Sequence, residues 1–406
     1  MQSNPATKPQ VARGRKPLNV SPSRDYRSEL QNALKVSPPG GHLNAVIALY
    51  TCDPIKLKKS YDQIRRCIKS GLKDKGIVEV SAFGSLVTDL ALQDSDLDLY
   101  VRDYNDPSMS QSQLHAVLMD FLTTNKDKKF LGVAKVPRTR EPIIRCKHRL
   151  SKLNLNIHVY HPNGAYNSEF IGNLMRRSKI VRDLSLFLKI WSNNLIESCR
   201  MSNYCLICMI IVSLQEQGLL LSVKQLQAGC PPNIFRGINY ACTLFKMRPI
   251  PEEITVLELI EDFFELYSTT DFEAQAVSPF FGCVMDKQPF RDDEIPEYTA
   301  QLEAMKVAGA EPPSPFRLIT CMYVQDPFDM HSNVAQSVSP LSLSWIKKCF
   351  SLASRATKDP KLRAEPEKLY EYLLFGMMDE LDEMQEEEER AMRAQKKRMN
   401  QRKEDL

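Results

Sequence analysis

A glycine–serine turn followed by two closely spaced aspartates is the part of this sequence best suited to chemistry. Gly84 and Ser85 form the turn, Asp96 follows Ser85 after eleven residues, and Asp98 lies two residues beyond Asp96. Apolar and charged residues alternate around Asp98, which predicts a half-buried strand whose alternate residues share a face. Two carboxylates on one face can bind hard divalent cations, and a glycine turn can bring backbone amides close to a phosphate. The alternative interpretation is a hairpin that carries surface acids.

These residues resemble the nucleotidyltransferase signature of the DNA polymerase β superfamily. The closest likeness is to its template-independent RNA branch, the poly(A) polymerases and terminal uridylyltransferases. Later segments resemble the same branch, so that the resemblance covers roughly residues 42–355. These segments are Asn167-Ser168, 186–191, 259–264 with Asp271-Phe272, 324–328 and 333–335.

The resemblance implies an α+β fold, in which a mixed-sheet nucleotidyltransferase palm domain is followed by a helical poly(A)-polymerase-associated domain. It also implies that Asp96 and Asp98 are catalytic and bind Mg²⁺ or Mn²⁺, and that the partners are an RNA 3′ end and UTP or ATP. The implied nucleotide-binding residues are Gly84, Ser85 and Lys189 at the phosphates, Asn167 at the ribose, Tyr204 against the base, and Asp326, Asp329 and Asn333 near the base edge.

The third carboxylate that the family places on a neighbouring strand is missing. The matching position is Asn156, the alternate position on the same face is Asn154, and the nearest acid is Glu141 at the far end of the preceding strand. An amide oxygen can ligate a hard cation, but it adds no negative charge and is no base near neutral pH. We therefore expect a weakened metal site and impaired catalysis.

Further departures concern the phosphate and base contacts. Asp89 stands where the family usually has glycine, and Asn193 replaces a second lysine one turn after Lys189. Asn203 replaces a serine before Tyr204. A histidine that often precedes the asparagine in uridylyltransferases is Ser332 here, which leaves the choice of nucleotide open.

Two functions follow from these motifs. The first is RNA 3′-end transfer of uridylyl or adenylyl groups, for which Glu141, a water or the substrate phosphate would have to act as base. The second is a catalytically inactive protein that binds RNA or nucleotide and regulates or scaffolds other proteins, possible contacts being the basic N-terminal tail and the charged C-terminal helix.

Composition is that of an ordinary globular protein of two or three domains. The chain has 406 residues, a net charge of +4 and 43% hydrophobic residues. No apolar run is long enough to span a membrane. Eleven cysteines in mostly apolar settings indicate reduced core residues, and we expect a cytoplasmic or nuclear protein, or both.

The predicted organisation begins with a basic, unstructured tail at 1–40. A helix at 41–75 joins the palm domain at 76–165, where strands are predicted at 77–83, 96–102, 131–136, 142–147 and 153–160. The helical domain follows at 166–358. Residues 359–406 are expected to form a charged C-terminal helix or tail, with acidic residues before basic ones, as suits a helix dipole.

Overall fold

The computed structural model describes residues 25–75, 79–102, 110–124, 128–136, 143–159, 163–244, 248–291, 294–309, 320–387 and 390. The strands are β1 (Glu79–Phe83), β2 (Leu97–Arg102), β3 (Phe130–Lys135), β4 (Ile143–His148), β5 (Asn154–Val159), β6 (Ile234–Phe235), β7 (Ile238–Asn239), β8 (Gln275–Ser278) and β9 (Cys283–Asp286). The helices are α1 (Tyr26–Lys35), α2 (His42–Tyr50), α3 (Pro54–Gly71), α4 (Gln111–Thr124), α5 (Asn163–Arg177), α6 (Lys179–Asn194), α7 (Asn203–Glu216), α8 (Val223–Gln227), α9 (Val256–Thr269), α10 (Gln288–Arg291), α11 (Pro296–Val307), α12 (Pro340–Lys358), α13 (Pro360–Ala364) and α14 (Pro366–Glu371). None of the helices in these ranges is long and apolar enough to cross a membrane.

Five strands form one mixed sheet in the order β1-β2-β5-β4-β3. The central pair β2–β5 is parallel, whereas β1–β2, β4–β5 and β3–β4 are antiparallel. The predicted α+β fold with a mixed five-stranded sheet is therefore confirmed. A parallel pair at the centre brings the start of β2 next to the start of β5, so that Asp98, the second residue of β2, lies beside Asn156 of β5.

The two faces of this sheet have different environments. Alternate residues such as Leu97, Leu99 and Val101 are buried against α3 and α4 in a compact core of their own. Because side chains alternate along a strand, Asp98 on β2 and Asn156 on β5 lie on the other face. The apolar packing of one face thus fixes which polar side chains the other face presents.

The remaining helices enclose a second, larger core. The centre of this core is α7, which is buried along nearly its whole length, and α6, which supplies Trp191. Trp191 packs edge to face with Phe264 of α9 and stacks with Phe350 of α12. Helices α5 and α6 also form the wall that faces the open side of the sheet.

The predicted tail at 1–40 is too long. Residues 1–24 lie outside the described residues, but α1 begins at Tyr26, is capped by Asp25, and buries Leu30 and Leu34 in the larger core. The single helix predicted at 41–75 is also wrong. It is two helices, of which α2 joins the larger core and α3 packs on the palm.

The predicted boundary at 358 cuts through the larger core. Beyond it, α13 and α14 continue through a π-helical turn at Tyr372–Gly376 into a helix that is described to residue 387. Leu369, Leu374 and Leu381 on this segment are buried in the larger core. The segment packs beside α1, where Arg27 forms an ion pair with Asp379 at 2.7 Å. Residues 391–406, which include most of the predicted basic run, lie outside the described residues.

Candidate active site

The two aspartates lie at the start of β2, on the face of the sheet that is turned towards the helical region. Asp98 pairs directly with Asn156 across the parallel β2–β5 ladder. Asn156, where the resemblance implies a third carboxylate, therefore lies directly beside Asp98, and it carries an amide.

Gly84 makes room for the Asp98 carboxylate. The residue has a φ of 69°, and a Cβ atom built on it would lie 2.4 Å from Asp98 Oδ2. Its backbone N–H donates to Ser168 Oγ at 2.8 Å. The Gly84 amide is thus used inside the protein, and the glycine is required by its backbone conformation and by Asp98. The contact of the turn with a phosphate stays a prediction.

Two asparagine amides donate to the aspartates, and one of them, Asn156, bridges both. Asn156 Nδ2 donates to Asp96 Oδ2 at 3.2 Å and to Asp98 Oδ1 at 3.0 Å. Asn154 Nδ2 donates to Asp96 Oδ1 at 3.1 Å. On the other side of Asn156, Arg145 of β4 donates from Nε to Oδ1 at 3.2 Å. Amide hydrogens therefore occupy the side of the carboxylates that faces β5.

Burial and charge shift two pKa values in the site. Burial raises the pKa of Asp98 to about 6, the hydrogen bond from Asn156 opposes this, and the charge of Asp96 adds to it. Burial lowers the pKa of Lys189 to about 8, against the attraction of Asp94 and Asp98. Lys189 of α6 donates from Nζ to the backbone oxygen of Leu90 at 2.7 Å, so the lysine braces the end of the glycine–serine turn.

The carboxylates of Asp96 and Asp98 are oxygen ligands of the type that Mg²⁺ and Mn²⁺ prefer, and they fit one such ion. The fit is incomplete at β5, because the group nearest both carboxylates is the donor end of an amide. Within the described ranges, no three His, Cys, Asp or Glu side chains converge to hold a metal. Glu141, the nearest acid along the chain on the β3–β4 side, lies outside those ranges.

A cleft of about 560 Å³ opens between the sheet and the helices. It brings together most of the residues that the sequence motifs predicted, including residues far apart along the chain. These are Gly84, Ser85, Asp96, Asp98, Asn156, Asn167, Lys189 and Tyr204, and the cleft is also lined by Asp94, Asn193 and Asn203.

Asp326 lies behind the wall of this cleft and holds two of the lining residues. Its Oδ2 accepts from Asn167 Nδ2 at 2.9 Å and from the Tyr204 hydroxyl at 2.7 Å. Burial raises the pKa of Asp326, while hydrogen bonds from the backbone and from both side chains oppose the rise. Asn167 Oδ1 is buried and accepts no hydrogen bond from the described residues, so it can receive a donor from a bound molecule.

Asp329 and Asn333 do not line the cleft, and the prediction that they lie near the base edge is not supported by their contacts. Asp329 accepts from the backbone N–H of His331 at 3.1 Å. Asn333 Oδ1 accepts from the backbone N–H groups of Val324 and Ala335, and its Nδ2 donates to the Met322 carbonyl oxygen. These two side chains shape the loop that carries Asp326.

Asp89, which stands where the resemblance implies a glycine, has a structural explanation. Asp89 has a φ of 60°, a conformation that favours glycine, and its Oδ2 lies 2.7 Å from Arg182 Nε. The negative charge of Asp89 is therefore paired with Arg182. His331 is buried against the Tyr298 ring, with 4.0 Å between ring centroids, and burial lowers its pKa to about 4.

Sequence reasoning missed Arg145, the amide contact of Asn154 and the contact of Ser168 with Gly84. The strand pattern alone places Arg145 on the polar face of β4, because it alternates with the apolar residues Ile144 and Cys146. Its place beside Asn156 follows only from the pairing of β4 with β5.

Comparisons with known proteins agree with this arrangement. Residues 52–174 match the family model of the central palm domain of mitochondrial-like poly(A) RNA polymerases. Over 306 residues the chain is 22% identical to poly(A) RNA polymerase protein 1 of Saccharomyces cerevisiae, covering 72% of this chain and 38% of that protein. Over 228 residues it is 25% identical to the mitochondrial poly(A) RNA polymerase of Drosophila melanogaster, covering 51% of this chain and 31% of that protein. The chain thus spans about a third of the length of these relatives.

Solved structures share the fold. The crystal structure of mtPAP in complex with ATPγS has a TM-score of 0.70 at 16% identity, covering 90% of this chain and 78% of that one. A mutant of the Cid1 poly(U) polymerase bound to MgATP has a TM-score of 0.64 at 18% identity, covering 81% and 97%. The resemblance to template-independent RNA nucleotidyltransferases that the sequence motifs predicted is confirmed.

Proposed function

We propose that this chain, which carries a nucleotidyltransferase palm of the mitochondrial-like poly(A) RNA polymerase type, transfers nucleotides from UTP or ATP to RNA 3′ ends at a reduced rate. The observation that carries the proposal is the pairing of Asp98 with Asn156 across the parallel ladder, inside a cleft that also holds Lys189, Asn167 and Tyr204. The cleft wall to which the proposal assigns nucleotide binding is present, and the residue at the position proposed to activate the RNA hydroxyl is an amide.

The wall has the chemistry that a nucleoside triphosphate needs. Lys189 uses one of its three hydrogens on Leu90 and can donate the others to phosphate oxygens. The buried, unpaired Oδ1 of Asn167 can accept from a ribose hydroxyl. The Tyr204 ring is held by its hydroxyl on Asp326, which leaves a fixed aromatic face for a base to stack on.

Asp96 and Asp98 would hold Mg²⁺ or Mn²⁺, which when bound neutralises phosphate charge. The related mtPAP and Cid1 structures, which contain ATPγS and MgATP, support this assignment. Asn156 cannot take a proton from the RNA hydroxyl near neutral pH, and the loss of a general base costs roughly 10²–10⁴ in rate. We therefore expect extension that is detectable but slow.

The test is extension of an RNA primer by the full chain with each of the four nucleotides, in Mg²⁺ and in Mn²⁺. Asp96→Ala is expected to abolish extension, and Asn156→Asp to accelerate it. Asp120→Ala removes an exposed acid on α4, on the other side of the sheet, and is expected to leave extension unchanged. No extension by wild-type protein with any nucleotide and either metal, together with none from Asn156→Asp, would contradict the proposal.

A second candidate is a nucleotide- or RNA-binding protein without turnover. It is favoured by the amide hydrogens that bridge Asp96 and Asp98, because such bridges stabilise the carboxylates without a cation. This candidate predicts that nucleotide binds equally well in EDTA and in Mg²⁺, and that Asp96→Ala keeps binding intact. Loss of nucleotide binding in EDTA would exclude it.

The acidic helix at 379–387 could then serve as a docking segment for a protein partner. The location in cytoplasm or nucleus stays a prediction.

A further inference from the structure

Arg145 decides which end of the Asn156 amide faces the carboxylates. The two residues are direct partners across the antiparallel β4–β5 ladder, and Arg145 Nε donates to Asn156 Oδ1 at 3.2 Å. A guanidinium has donors and no acceptor, so the amide end that faces it must be the oxygen. An ionised carboxylate accepts only, so the end that faces Asp98, at 3.0 Å, must be the nitrogen. Both neighbours therefore fix the same orientation of the amide.

We propose that Arg145 is a positioning residue that keeps Asn156 from serving as a cation ligand. It holds the one atom of that side chain able to bind a hard cation, Oδ1, away from Asp96 and Asp98. Its guanidinium also adds a positive charge near the carboxylates of Asp96 and Asp98. The inference rests on the proposed cation site at the two aspartates.

The charge alone has a measurable effect on a dication. If the Arg145 guanidinium and the dication are taken to lie about 7 Å apart, Coulomb's law at the permittivity of water gives roughly sevenfold weaker binding of the dication. Salt at physiological strength reduces this to roughly two- to threefold. Release of the amide oxygen adds a neutral ligand to two anionic ones, so we expect removal of Arg145 to tighten cation binding by about tenfold in total.

The same geometry predicts that Asn156→Asp alone restores only part of the site. The new carboxylate would accept from Arg145, and its charge would be partly neutralised by the guanidinium. The restored acid becomes fully available only when Arg145 is also replaced, so the two substitutions should be more than additive.

The test is a titration of the full chain with Mn²⁺ alone, read from the loss of the free-ion electron paramagnetic resonance signal. Arg145→Met removes the charge and the donor, whereas Arg145→Lys keeps both. Lys147→Met is the matched control, because Lys147 lies two residues along β4, on the same face and opposite Asn154. It removes an equal charge without freeing Asn156.

We expect Arg145→Met to tighten Mn²⁺ binding about tenfold, Lys147→Met by roughly twofold or less, and Arg145→Lys not at all. Asn156→Asp with Arg145→Met should bind more tightly than the product of the two single effects. Equal effects of Arg145→Met and Lys147→Met would overturn the proposal, since charge alone would then explain both. The proposal would also be overturned if Asn156→Asp, with Arg145 present, bound Mn²⁺ as tightly as the variant that carries both substitutions.

Failure of the proposed transferase function is a separate outcome. It appears as absent primer extension, whereas the Mn²⁺ titration needs neither RNA nor turnover. A protein that never extends a primer, but whose Mn²⁺ affinity responds to Arg145 as described, supports the positioning role and refutes the activity.

Discussion

Replacing Gly84 with alanine should weaken the cation site at Asp96 and Asp98, although the substitution adds only one methyl group. Gly84 has a φ of 69°, and an added Cβ would lie 2.4 Å from Asp98 Oδ2, far inside ordinary carbon–oxygen contact. The Asp98 carboxylate would have to turn away, and it would then lose the hydrogen bond from Asn156 at 3.0 Å.

The expected loss of folding free energy in Gly84→Ala has two parts. A left-handed conformation costs an L-residue roughly 1–2 kcal/mol. Losing a hydrogen bond to a charged group costs about 1.5–3 kcal/mol more. Gly132→Ala is the matched control, because Gly132 also has positive φ, at 60°, but has no atom within 4 Å of the added Cβ. The control should show the first part alone.

Hydrogen exchange of peptides from 79–102, analysed by mass spectrometry, measures the local free energy of opening. Tryptophan fluorescence is unsuitable, because both tryptophans, Trp191 and Trp345, lie in the helical region. Gly84→Ala should lower the opening free energy of β2 by about 1.5–3 kcal/mol more than Gly132→Ala lowers that of its own strand, and should weaken Mn²⁺ binding. Equal costs for the two variants, with unchanged Mn²⁺ affinity, would refute the reasoning.

Three further substitutions test the helical side of the cleft. The pKa of Lys189 is lowered by burial to about 8, so the unfolded chain binds more protons between about pH 8 and 10.5. Stability should therefore rise with pH over that window relative to Lys189→Met, as measured by urea unfolding. Asp326→Asn replaces the carboxylate that accepts from Asn167 and Tyr204 with an amide. The weakened hydrogen bonds should cost about 1.5–3 kcal/mol in urea unfolding, and ATP binding should weaken in calorimetry. Leu374→Ala should destabilise the protein by about 2–5 kcal/mol in thermal unfolding, although residue 374 lies beyond the predicted domain end.

The palm was predictable because local patterns determine it. Alternation of apolar and polar residues assigns β2 and β5, and it follows from burial of one face against α3 and α4. The turn at Gly84 and the pair of aspartates constrain each other through space, since Asp98 fits only beside a residue without a Cβ. Sequence patterns of this kind reflect contacts between near neighbours or within one sheet.

The parts that were missed depend on contacts between distant segments. Helix α1 buries only Leu30 and Leu34. Two apolar residues among mostly polar and charged ones do not form a helical pattern that can be recognised in the sequence. Its partner segment follows more than three hundred residues later, where Arg27 meets Asp379. The role of Arg145 likewise cannot be predicted from the sequence, because it depends on which strand lies beside β4.

The amides beside Asp96 and Asp98 should make the palm independent of metal for its stability. Three carboxylates at one site repel one another and depend on cations. Two carboxylates that Asn156 bridges, one of which also accepts from Asn154, do not. EDTA should therefore leave hydrogen exchange of 79–102 unchanged in the wild-type chain. In Asn156→Asp the bridging donor becomes a third negative charge, so saturating Mn²⁺ should stabilise that variant, by about 2.7 kcal/mol at a concentration a hundredfold above its dissociation constant. Protection of the wild-type palm that falls in EDTA as much as that of Asn156→Asp would show that its cradle already depends on a bound cation.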